Sequence, residues 1–60
     1  MKFEILNDNG SVVFNTTDDE CLPTINDMDS MVKARYKFKL DGKLISKNKL
    51  IEKFNHIYKK

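Results

Sequence analysis

Chemistry in a protein needs nucleophiles, bases, metal ligands or anion cradles at workable spacing, and this chain carries few of each. Cys21 and His56 are its single thiol and single imidazole. A thiol enzyme needs the two in contact, with a third group orienting the base, and a structural zinc site needs four ligands of this type. Nothing in the sequence brings Cys21 to His56. Cys21, beside Leu22, reads as a small half-buried apolar residue; His56, four residues after Glu52, reads as half of an exposed helical pair. The acids Asp18, Asp19, Glu20, Asp27 and Asp29 lack the alternation, central glycine and terminal Glu of a calcium loop. They read as a solvated approach to a helix start, where negative charge is favoured. Gly10 and Gly42, the two glycines, fall in turns and leave no phosphate-binding loop. The reading is a non-enzymatic chain with no metal and no cofactor.

Charge is the more informative pattern. Residues 1–30 carry one base, Lys2, against seven acids, a net of −6; residues 31–60 carry ten bases against Asp41 and Glu52, a net of +8. Such asymmetry speaks to partners and association rates rather than to fold. The acids Asp18, Asp19, Glu20, Asp27 and Asp29, with Met28 and Met31 as apolar anchors, form the candidate protein-binding set, and Leu44 is a further side chain expected to be partly exposed. The lysines Lys37, Lys39, Lys43, Lys47 and Lys49 form an alternative, nucleic-acid-binding set, a basic strand face beside a basic helix. Nine of the ten bases in the second half are Lys. Base reading and bidentate phosphate clamps favour Arg, so this alternative implies non-specific or shape-led binding.

The elements that must position these residues follow from periodicity. Lys2–Leu6 alternates and Ser11–Asn15 is rich in β-formers, with Asn9-Gly10 between them as a two-residue type I′ turn. That register puts Ile5 opposite Phe14 and Asn7 opposite Val12, so Phe3, Ile5, Val12 and Phe14 share one face. Tyr36–Leu40 alternates strictly and returns through Asp41-Gly42 to Lys43–Ser46. Tyr36, Phe38, Leu40 and Ile45 then point inward, and Lys37, Lys39, Leu44 and Ser46 outward. Between the hairpins, Leu22, Ile25, Met28 and Val32 approximate a helical stripe over 23–33, beginning at Pro23 or Thr24. After the second hairpin, Ser46 caps a helix from Lys47 on which Leu50, Ile51, Phe54, Ile57 and Tyr58 form the apolar stripe, with Lys59 and Lys60 suiting its C-terminal dipole. The expected fold is one small α+β domain over 1–60, in ββαββα order. A small antiparallel sheet of two hairpins packs in two layers against one or two helices.

Sixty residues supply one modest core. The lone cysteine fits a reducing compartment, and no apolar run is long enough to span a membrane, so the expectation is a cytoplasmic protein without a membrane partner. Sheets this small have open edges, which a second copy or a partner's strand can cover.

The stretch Tyr36–Phe54 (YKFKLDGKLISKNKLIEKF) resembles the small, lysine- and asparagine-rich accessory proteins of phages and prophages with AT-rich genomes, in size, composition and hairpin-then-helix style. That resemblance implies a protein that binds and blocks a larger host target, such as a nucleic-acid-processing or defence enzyme. With the charge split, it makes an inhibitor or modulator the first functional expectation. Homo-oligomerisation and nucleic-acid binding stand beside it.

Overall fold

The computed structural model describes residues 1–58. Two hairpins, β1 (Phe3–Leu6) with β2 (Val12–Thr16) and β3 (Lys37–Leu40) with β4 (Lys43–Ile45), form one antiparallel sheet in the order β2-β1-β3-β4. A single 3-10 turn (Asp19–Cys21) and α1 (Ile25–Lys33) join the hairpins, and α2 (Lys47–Lys53) and α3 (Asn55–Tyr58) follow β4. The small two-layer α+β fold expected from periodicity is the fold observed. Lys59 and Lys60, expected at the last helix's dipole, lie outside the described residues.

The second hairpin follows its sequence. Asp41 and Gly42 both have positive φ, 52° and 83°, as a type I′ turn requires. Phe38 then pairs with Ile45 and Leu40 with Lys43. The first hairpin departs from its expected turn. Asn9 is not left-handed; only Gly10 is, at φ 85°. The Asn7 carbonyl accepts the Gly10 N–H at 3.0 Å, and the Asn7 side chain accepts the N–H groups of Asn9 and Ser11, each at 2.9 Å. The loop is thus three residues, Asp8–Gly10, closed by a left-handed glycine. Ile5 still pairs with Phe14, but a bulge between Ile5 and Leu6 sets Leu6, not Asn7, opposite Val12. One extra residue reverses the face of everything beyond it. Val12 therefore leaves the inner face assigned to it and joins Leu6 on the other.

The inner face carries the core. Phe3, Ile5, Phe38 and Leu40 from the two central strands bury against Met28 of α1, Leu50 of α2 and Phe54 at its end. Phe3 and Phe38 stack with centroids 6.0 Å apart. α1 begins one residue later than the latest expected start, because the Thr24 hydroxyl accepts the Asp27 N–H at 3.1 Å and makes Thr24 the cap. It ends in a Schellman arrangement. The Arg35 N–H bonds the Val32 carbonyl and the Tyr36 N–H the Met31 carbonyl, with Arg35 left-handed at φ 65°. Ser46 caps α2 as expected, its hydroxyl accepting the Lys49 N–H at 3.2 Å. The C-terminal helix is not continuous. Phe54, at φ −112° and ψ 38°, breaks it. Beyond the break, the Tyr58 hydroxyl donates to the Pro23 carbonyl at 2.7 Å and ties α3 to the start of α1.

Candidate protein-binding site

The two sheet edges are built differently, and the difference comes from residue types. β4 is three residues long, begins with Lys43 and borders basic α2. Short length and lysine are the usual ways of protecting an open strand. β2 runs five residues, Val-Val-Phe-Asn-Thr, with neither a charge nor a proline. Its outer side has no strand partner, and Val12, Val13 and Phe14 are 48%, 51% and 39% exposed. Only the bulge at Val12/Val13 interrupts it, and Phe14–Thr16 continues in regular pairing with β1.

The helical layer covers β1 and β3 and stops short of β2. Phe14 shares its row of the sheet with Ile5, Phe38 and Ile45, yet is the member left most open to solvent. Between β2 and α1 lies an open groove of about 340 Å³, lined by Val13, Phe14, Leu22, Pro23, Met31 and Tyr36 among others. The Schellman ending of α1 places Met31 and Tyr36 side by side on its floor. Among the described residues, Asp27 is the one charged residue in the lining. Asp8 lies in the loop before β2 and Asp18 just after it. From Phe3 to Val32 the chain has seven acids and no base. A larger groove of about 440 Å³, lined by Val32, Tyr36, Leu44 and Ile45 with Lys37 and Lys47, borders the protected β4 edge.

The residues singled out from sequence separate into several environments. Met28 is wholly buried, 0% exposed, and offers a partner nothing; the α1 stripe turns it into the core against Leu50 and Phe54. Met31 is half-buried in the groove and Leu44 is 65% exposed. Asp29 forms an ion pair with Lys47, tying α1 to α2. Asp19 approaches His56, Oδ2 to Nε2 at 3.8 Å. The expected Glu52–His56 pair is replaced by this one because the helix breaks between them. The Asp18 carboxylate accepts the Glu20 N–H at 2.9 Å and caps the 3-10 turn. Glu20 and Asp27 are exposed. Cys21 is exposed rather than half-buried, since the 3-10 turn holds it at the groove's border instead of turning it inward.

The five lysines are divided by the sheet. Lys37 and Lys39 alternate with buried Phe38 and Leu40 and so face away from the helices. Lys43 ends the row of Leu40, Lys47 is held by Asp29, and Lys49 lies on α2, which packs on the opposite side. The strand face and the helix thus belong to different layers, which meet where Lys37 and Lys47 line one groove. Sequence reading missed the β2 edge, although an uncharged SVVFN strand was its signal. It also missed Asn7, whose side chain builds the loop. Among the described residues, no three His, Cys, Asp or Glu side chains gather as a metal-holding group, and no helix is long and apolar enough to cross a membrane. Compared with protein-family models, with curated proteins and with solved structures, the chain matches none.

Proposed function

We propose that this chain is a small non-enzymatic binding protein that works by protein–protein contact, as an inhibitor or modulator of a larger protein, and that it binds through β2 and the groove beside it. The observation that carries this reading is the open β2 edge, with Val12, Val13 and Phe14 exposed next to an apolar groove. An unprotected, uncharged edge strand is costly to leave in water because it invites indiscriminate pairing. A partner that covers it gives the exposure a use. Main-chain hydrogen bonds would supply affinity, and the groove would select a side chain. The acids Asp18, Asp27 and Glu20 would steer a basic target and fix its orientation. A nucleic-acid-processing or defence enzyme, which presents basic surfaces, fits that charge.

The test is co-purification of the tagged protein from a bacterial lysate with and without nuclease, comparing the native chain with Val13→Lys. Val13 is half exposed, so the substitution leaves the core alone. The expected result is a stoichiometric, nuclease-resistant partner that Val13→Lys loses. A partner retained by Val13→Lys, or material recovered only through nucleic acid, would overturn the reading.

A further inference from the structure

From the charge around the β2 edge we infer the chemistry of its occupant: an extended segment of the partner protein that adds as a fifth strand, places one apolar or aromatic side chain in the groove, and carries Lys or Arg on either side of it. This rests on the proposed binding role of β2 and specifies what binds there. β2 itself is uncharged, so the electrostatics of an added strand come from its surroundings. Asp8 precedes β2, Asp18 follows it, and Asp27 is the only charge lining the groove among the described residues; the base nearest in the sheet is Lys2, just before the Phe3–Thr16 pair, and no base occurs between Lys2 and Lys33. An acidic segment would meet like charge at both ends and at the groove, and a basic one would meet opposite charge there. The groove asks for an apolar side chain, because Phe14, Leu22, Met31 and Tyr36 line it.

Charge also decides between a partner and a second copy. Pairing β2 with β2 of another copy about a two-fold axis at Phe14 would set Asp8 of each against the Asp18–Glu20 turn of the other. Such like-charge contacts disfavour the symmetric pairing. The self-paired edge is thus the poorer occupant, and a basic strand from elsewhere the better one.

The experiment is selection of a random short-peptide display library against the full chain, followed by binding titrations with the enriched peptides. The expected peptides alternate β-branched or aromatic residues with Lys or Arg. N-methylation at alternate backbone nitrogens should abolish their binding, because an added strand needs those donors. Asp8→Asn, Asp18→Asn and Asp27→Asn together should weaken binding about tenfold at low salt, three exposed pairs of modest strength acting in concert. Asn retains the capping role of Asp18. Peptides that need their backbone N–H groups and are blocked by Val13→Lys, but are neutral or acidic, would overturn this inference and leave the binding role of β2 standing. Peptides indifferent to N-methylation and to Val13→Lys, or no enrichment at all, would overturn both. Sedimentation of the chain alone should show a monomer. Oligomers that Val13→Lys dissolves would overturn the partner-segment occupant in favour of a second copy.

Discussion

Single residues show where local geometry works against residue type. Arg35 occupies the left-handed position that ends α1, at φ 65°, where a β-carbon is crowded and glycine is the usual choice. Arg35→Gly should therefore raise stability by about 1 kcal/mol, read as a shift in the urea midpoint with unchanged slope. An unchanged or lowered midpoint would mean that the arginine side chain makes contacts that offset its strain. Tyr58 gives a pH test. Burial raises its hydroxyl above the ordinary phenol value while that hydroxyl donates to the Pro23 carbonyl. The folded chain holds the proton more tightly than the unfolded one. The Tyr58 contribution is therefore complete below the unfolded value of about 10 and is lost as pH rises through the higher folded value. Melting temperature should fall more steeply above about pH 10 in the native chain than in Tyr58→Phe, and parallel curves would contradict the assignment.

Elements explain what could be read in advance and what could not. The second hairpin was legible because strict alternation and Asp41-Gly42 are local signals that agree. The first was legible as a hairpin but not in its turn. The Asn7 side-chain oxygen takes the place of a backbone acceptor there, and the accompanying bulge moves Val12 to the other face, an outcome that depends on one side-chain hydrogen-bond pattern. The pairing of β1 with β3, the break at Phe54 and the width of sheet that α1 leaves uncovered are long-range results, and local periodicity carries none of them. The candidate site depends on that uncovered width, so it was the least legible feature. The contrast between Met28 and Val13 expresses this at the level of elements. Met28→Ala opens a cavity where α1 meets the sheet and should cost about 2–5 kcal/mol, enough to unfold much of so small a domain. Val13→Lys should change stability by no more than about 0.5 kcal/mol, since the site is at the surface. Equal losses at the two positions in chemical denaturation would place Val13 in the core and contradict the open edge.

At the scale of the whole molecule, the −6 and +8 halves meet along the helices. Among the described residues, Asp29–Lys47 joins them as an ion pair and Asp19 approaches His56. The first is partly buried and the second largely solvated, so both orient the packing more than they stabilise it. The charge that remains is divided in space. The β2 side is acidic with an apolar groove, and the exposed lysines other than Lys2 and Lys33 follow β3, β4 and α2. This division gives a molecule with one open edge and one protected edge, and the proposed partner binding belongs to the open one. The most direct test is an NMR titration of the isotopically labelled chain with a selected peptide, following backbone amide shifts. Binding at the β2 edge should concentrate the changes on Val12–Thr16, the Leu22–Asp27 segment and Met31. Changes centred instead on Lys37, Lys39 and Leu44, with β2 unmoved, would contradict it.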